Sequence, residues 1–329
     1  MLDRMKQAPS ATAADDLMLM RIMDRSSTEE AARDYIEALR WPNGPVCPHC
    51  GNCNGNRIYK VSANTGRKIR AGLYKCAECS DQFTVTVGTV MEDSHIPLNK
   101  WLVAFYIMCA SKTQVSALQL QRQLELGSYR SARFLCHRIR FALMDPAPEA
   151  KLSGSVETNE TYVGGKKSGR GRGCVGNKTA VVSLVERDGR VRSQVVEKGS
   201  GSEITKFLRA HISPDALLNT DESNLYNKVG KEFASHDVVN HSGEEYGHID
   251  IMSGWHATNN TAEGFVGNSK RAIDGTHYHI SKKHAGLYIA ELDYKYNTRK
   301  TTDRARSDAG LRAIFGKRLT LRQPRKRES

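Results

Sequence analysis

The sequence predicts an α/β protein in three parts: a β-ribbon carrying cysteines, a helical region, and a mixed strand–helix core in the C-terminal half. Three observations carry this reading. Two Cys-x-x-Cys pairs, Cys47–Cys50 and Cys76–Cys79, flank short strand-like runs. Apolar residues recur at helical spacing from Pro97 to about Met144. From Ser155 the pattern turns to β-branched runs in the order three strands, helix, strand.

With 329 residues there is room for two or three compact units. The expected division is 1–45, an N-terminal helical segment; 46–92, the ribbon; 93–148, a helical region; 149–300, the core; and 301–329, a basic tail. A hydrophobic content of 39% fits a soluble globular protein, no apolar run is long enough to span a bilayer, and Met1 to Ala14 lack a signal-peptide core. A cytoplasmic, nucleoid-associated protein is expected. The formal charge of +13 favours a polyanionic partner, since the phosphate backbone rewards such a surplus. Eight cysteines in a cytosolic chain argue against a disulfide framework.

Ser27, with Glu30 three residues on, predicts a capped helix over Thr28 to Leu39, stopped by Trp41-Pro42-Asn43-Gly44-Pro45. In the ribbon each Cys-x-x-Cys knuckle aims two thiolates at one ion, so Cys47, Cys50, Cys76 and Cys79 are expected to hold a structural Zn²⁺ with no open position. His49 and Cys53 are spare candidates, and Cys109, Cys136 and Cys174 are read as incidental thiols. Ile58–Val61, Leu73–Lys75 and Phe83–Val87 are the expected strands. Beyond Pro97, a helix, a short helix, the break at Gly127-Ser128 and a basic helix with Arg130, Arg133, Arg138 and Arg140 give a helix-turn-helix layout, with Arg130, Arg133 and Arg138 as DNA contacts. A helical bundle with a solvated basic face is the alternative.

The core opens on Val156 to Gly165, a strand with acids and amides in its middle, running into a Gly pair. The loop from Gly164 to Lys178 holds six glycines and five Lys or Arg. It has the glycine spacing of a phosphate-binding loop, but Asn177 separates Gly176 from Lys178 and a strand follows instead of a helix. Contact of Lys166, Lys167, Arg170 and Arg172 with DNA phosphates fits better. Strands follow at Thr179–Val185 and Val191–Val196, then a helix capped by Ser202, then a strand from Ala216 to Asn219 ending on Asp221. That order is the core of the ribonuclease-H-like fold. Such a fold gathers carboxylates from its first strand, the end of its fourth, and a later helix, where two Mg²⁺ ions activate a water or 3′-hydroxyl. Asp221 is at a strand end, and Glu263 opens an amphipathic helix with Lys270 two turns along the same face, placed to hold a phosphate. Seven histidines lie between His236 and His284 at irregular spacing; His241 and His256 are read as phosphate or water contacts near the site.

These pieces together resemble the IS1595-family transposases, in particular the ISXO2-like DDE domain. The matching segments are Val156-Glu157-Thr158-Asn159-Glu160-Thr161-Tyr162-Val163-Gly164-Gly165, Thr220-Asp221, Asn240-His241-Ser242, His256, Asn260-Thr261-Ala262-Glu263-Gly264-Phe265, Lys270-Arg271, Gly275, Ser281-Lys282-Lys283-His284 and Tyr294-Lys295-Tyr296-Asn297. The ribbon, with Gln82 to Thr89 after Cys79, resembles the same family, so the likeness covers roughly Val46 to Arg299. It implies a zinc-ribbon DNA-binding region and a DDE recombinase core. That core would act on the inverted-repeat ends of an insertion sequence and on target DNA, as a dimer or higher oligomer. It further implies Asn159, Asp221 and Glu263 as Mg²⁺ ligands, with Lys270 and Arg271 on DNA; Asn260, one turn before Glu263, is an alternative third ligand. The family has an aspartate where this chain has Asn159. An amide supplies an oxygen but no charge, so Mg²⁺ is expected to bind more weakly, and three readings are open: a substitution that traps a DNA complex, a decayed or repurposed copy that binds without cutting, or compensation by Glu157 or Glu160. By strand alternation Glu157 shares the face of Asn159 and Glu160 does not. The expected function is Mg-dependent DNA cleavage and strand transfer, impaired here; the alternatives are a catalytically silent DNA-binding protein and a structure-selective nuclease.

Overall fold

The computed structural model describes residues 27–62, 69–144, 150–164, 178–197, 200–239, 248–249 and 256–320. They fall into two compact units, drawn from 1–111, 117–143 and 300–329 and from 112–116 and 144–299.

The first unit begins with α1 (Glu29–Arg40), capped by Thr28, whose side chain accepts the Ala31 N–H, one residue later than expected. The ribbon strands β1 (Ile58–Lys60), β2 (Tyr74–Cys76) and β3 (Gln82–Phe83) pair antiparallel in that order. The third is shorter than its Val- and Thr-rich sequence suggests, because the chain turns at Thr84–Val87. Trp41, Tyr74 and Phe83 pack edge-on and stacked, with ring centroids 5.4–5.8 Å apart. Helices α2 (Leu98–Ala110), α3 (Ala117–Gln123) and α4 (Tyr129–Leu143) follow the expected helix, short helix, turn, helix order. The stretch read as a tail instead forms α8 (Asp303–Arg312), capped by Thr302, with Leu311 and Ile314 buried.

The second unit is built on a five-stranded sheet: β4 (Ser155–Val163), β5 (Thr179–Glu186), β6 (Val191–Val196), β7 (Leu217–Thr220) and β8 (Ser235–Val238), in spatial order β6-β5-β4-β7-β8. The first three are antiparallel; β7 joins β4, and β8 joins β7, in parallel. This is ribonuclease-H-like topology, with β8 a fifth strand that the sequence pattern did not show. Between β6 and β7 lies α5 (Gly201–His211), and beyond a short pair, β9 (His248–Ile249) and β10 (His256–Ala257), come α6 (Asn260–His277) and α7 (Lys282–Asn297). Alternation along β5 sorts the core. Ala180, Val182 and Leu184 pack with Ile204, Phe207 and Leu208 of α5, whereas Val181 and Val185 pack with Phe265, Val266 and Ile273 of α6 and Ile289 and Leu292 of α7.

The outer edge of β6 is covered by α7. Asn297 accepts the Val191 N–H at 2.7 Å and returns Nδ2–H to Val191 O at 3.0 Å, as a neighbouring strand would. Asp293 accepts the Ser193 N–H at 2.7 Å and the Ser193 hydroxyl at 2.8 Å. Burial pushes its carboxyl up to about 7 against those two donors. A folded-state value above the unfolded one means that the unfolded chain releases this proton first as pH rises. The contribution is therefore complete below about pH 4 and lost progressively up to about pH 7. Asp293→Asn keeps a side chain able to bond Ser193 but cannot ionise. Its melting temperature relative to the parent should rise between pH 4 and 7, measured by thermal denaturation; a parallel shift at every pH would contradict this assignment.

Candidate active site and zinc centre

The zinc centre is formed by the two knuckles. The Sγ atoms of Cys47, Cys50, Cys76 and Cys79 all lie within 4.8 Å of one another. Cys47 and Cys79, and Cys50 and Cys76, stand 3.7 Å apart. Thiolates about 2.3 Å from a zinc ion are separated by about 3.8 Å along the edge of a tetrahedron, so the donors fit the ion in both chemistry and spacing. Zinc binds the deprotonated sulfur. The Cys79 N–H, followed by Asn52 Nδ2 and the Glu78 N–H, holds the Cys76 thiol down at about 6 against desolvation. His49 and Cys53 are outside the cluster: the His49 ring lies against Phe83, and Cys53 is exposed. Cys109 and Cys136 are buried free thiols, while Cys174 lies outside the described residues.

In the second unit, Asn159 lies in the middle strand of the sheet, opposite Ser183 of β5. On its other side, Ser155, Val156 and Glu157 pair with Leu217, Leu218 and Asn219 of β7. Continued past the end of β7 at Thr220, that register would lead Asp221 toward the level of Asn159. Asp221 Oδ1 accepts the Ser223 N–H at 3.2 Å, which turns the chain as it leaves the strand. Helix α6 packs on the sheet and starts beside Asn159's own strand: Asn259 Nδ2 donates to Thr158 O at 3.2 Å, and the Ala262 N–H donates to Glu157 Oε2 at 2.9 Å. Glu263 is the next residue. It is exposed, as are Asn260, Lys270 and Arg271, while Ala262, Phe265, Val266 and Ser269 face inward. Arg271 Nη2 is tied to Asn268 at 2.6 Å.

The two compensating acids behave differently. Glu157 is fully buried and accepts hydrogen bonds from Arg187, Thr261 and the Ala262 N–H. Glu160, on the opposite face as alternation predicts, accepts the Tyr162 hydroxyl at 2.8 Å. Among the described residues, the four cysteines are the only cluster of three or more His, Cys, Asp or Glu ligands within 4.8 Å of one another.

On α4, Arg130 and Arg133 are exposed beside Tyr129 in the first turns, but Arg138 is not a surface cation. It is buried, its Nε donates to Leu319 O at 3.2 Å, and its guanidinium stacks 4.6 Å over Phe134. Burial lowers its pKa. It braces the first unit and is removed from the DNA-contact set. Lys166, Lys167, Arg170, Arg172 and His241, and the side chain of His256, lie outside the described residues.

The five-stranded sheet in the order β6-β5-β4-β7-β8, joined to a four-cysteine ribbon, gives the class: a zinc-ribbon protein with a ribonuclease-H-like core. The family comparisons agree. Residues 151–297 match the ISXO2-like transposase domain and residues 27–82 the transposase zinc-ribbon domain. Both segments are therefore similar to the domains of IS1595-type transposases. It is 27% identical to an uncharacterized protein in transposable element ISH50 of Halobacterium salinarum, across 80% of this chain and 88% of that one. No solved structure matches it. No helix among the described residues is long and apolar enough to cross a membrane.

Proposed function

We propose that the chain is an insertion-sequence transposase that binds terminal inverted repeats and target DNA, acts as an oligomer on that DNA, and carries its chemistry at Asn159, Asp221 and Glu263. The parallel pairing of β4 with β7, whose register leads from Asn219 toward Asp221, and the start of the Glu263-bearing helix beside β4 support this reading. The donors there are two carboxylates and an amide oxygen, the oxygen set that suits Mg²⁺. Bound there, Mg²⁺ would polarise phosphate oxygens and sharpen a water or 3′-hydroxyl as nucleophile. Lys270, about 10 Å along α6 from Glu263 at 1.5 Å per residue, would hold a flanking phosphate. Asn260 is exposed one turn before Glu263, and Glu263 is favoured as third ligand because it brings a charge. Asn159 removes one of three charges, so this chain should bind end DNA and cleave it little. A transposase-derived silent binder is the second reading, and Asn159 favours it. Strand cleavage on matched end DNA, comparing the chain with Asn159→Asp, separates the two.

Arg130 and Arg133 in the first turns of α4 fit phosphate contact by the second helix of a helix-turn-helix. Removing both should weaken end-DNA binding and lower the slope of log affinity against log salt by about two, at ~0.9 per lost phosphate contact. The change is read by anisotropy titration over a salt series. An unchanged slope would place the interface elsewhere.

A further inference from the structure

Helix α6 is capped from outside its own chain segment. Asn259 occupies its N-cap position, yet its side chain makes no capping bond and points to Thr158 O. The N–H of the third helical residue, Ala262, is one of the four left unpaired at any helix start. Glu157 of β4 takes it at 2.9 Å, doing from the sheet what an N-cap side chain does locally. A negative charge at this end also complements the helix dipole. Glu157 Oε1 further accepts Thr261 Oγ1 at 3.0 Å and Arg187 Nε and Nη2 at 3.2 and 3.0 Å. Arg187, at the end of β5, is 25% exposed at its side chain and also reaches Thr258 O at 3.5 Å.

We propose that Glu157 and Arg187 form a positioning clamp that sets the angular and axial start of α6 on β4, and so fixes Glu263 against Asn159 and Asp221. The proposal rests on those three residues being the site. Glu157 lies two residues before Asn159 on the same strand face, and Glu263 follows the clamped Ala262 directly. A slip of the helix by one residue would turn Glu263 by about 100°. A buried carboxylate with a partly exposed arginine is a weak source of stability in itself, because desolvation offsets the attraction. Its four donors serve instead to choose one position of the helix among several of similar burial.

The test uses Glu157→Gln, Arg187→Met and the milder Thr261→Val, each in the chain as it stands and with Asn159→Asp. In the chain as it stands, Glu157→Gln should raise amide hydrogen exchange at Ala262 and Glu263 about tenfold, the loss of one cap, while the β4–β5 amides keep their protection. With Asn159→Asp, it should leave end-DNA affinity within about twofold, raise the half-saturating Mn²⁺ concentration and lower the cleavage rate, each by about 10–100-fold. Thr261→Val should move the same readouts in the same direction by less. Three results would overturn the clamp. Exchange rising equally across β4 and β5 would mean a merely structural pair. Tighter Mn²⁺ binding in Arg187→Met would make Glu157 a metal ligand. All readouts within twofold of the parent would leave the contacts without a role. If Asn159→Asp binds DNA but stays inert, the three-residue site fails, and the exchange measurement alone still decides the clamp.

Discussion

Asn159→Asp is expected to turn a chain that binds end DNA with little or no cutting into one that nicks it in Mg²⁺ or Mn²⁺, with a gain of about 10²-fold or more. Two divalent cations carry four positive charges, and Asp221 and Glu263 supply two negative ones. The amide of Asn159 offers an oxygen without a charge, so on the proposed reading cation binding and charge neutralisation would both suffer. The two acids nearest in sequence are engaged elsewhere. Glu157 is buried under Arg187, Thr261 and Ala262, and Glu160 is turned to the opposite face of the sheet, on Tyr162. Asp221→Ala or Glu263→Ala in the Asn159→Asp background should abolish the nicking. The measurement is denaturing-gel cleavage of labelled end DNA at saturating protein. Robust cleavage by the chain as it stands would defeat the silent-binder reading. No gain from Asn159→Asp, with DNA binding intact, would defeat the three-residue site.

How much of this was legible in the sequence depends on how local each feature is. The ribbon was, because metal spacing is written into Cys47–Cys50 and Cys76–Cys79. The order of strands in the core was, because turns and period-two runs are local. The shared face of Glu157 and Asn159 also followed from alternation. What Glu157 does there did not, because its partners come from β5 and from the start of α6, 30 and about 104 residues away in the chain. Arg138 misled for the same reason. Arginine is rarely buried unless it is paired, and its acceptor is the Leu319 carbonyl, 181 residues on. The helix at Asp303–Arg312 carried its own signal in Thr302, which accepts the Ala305 N–H, but its charge-rich composition reads as tail. β8 has only four residues, with Ser235, His236 and Asp237 half-buried, so it shows no clean alternation.

The second large effect is expected at the ribbon. Cys76→Ser should lose stoichiometric zinc and unfold residues around 46–90, while the core of the second unit keeps its own melting transition. Among the described residues, the ribbon's buried apolar side chains beside the cysteines are few: Ile58, Phe83, Val85, Val90 and Met91, with Tyr74 stacked on Phe83 and Trp41 edge-on to it. Full burial of each apolar side chain stabilises by about 1.5–3 kcal/mol. Three short strands must be ordered against that, at about 1–2 kcal/mol of backbone entropy per residue. Apolar burial alone therefore cannot hold the ribbon. A structural zinc ion supplies about 10–16 kcal/mol in small zinc domains, which is enough to make folding depend on it. Serine at 76 removes both the ligand and the thiolate that the Cys79 N–H and Asn52 stabilise. The remaining three sulfurs do not close a tetrahedron. The losses are read by elemental analysis of the purified variant and by near-ultraviolet circular dichroism of the Trp41–Tyr74–Phe83 cluster. A variant that keeps one zinc per chain and the parent aromatic signal would show that the metal is held by other ligands.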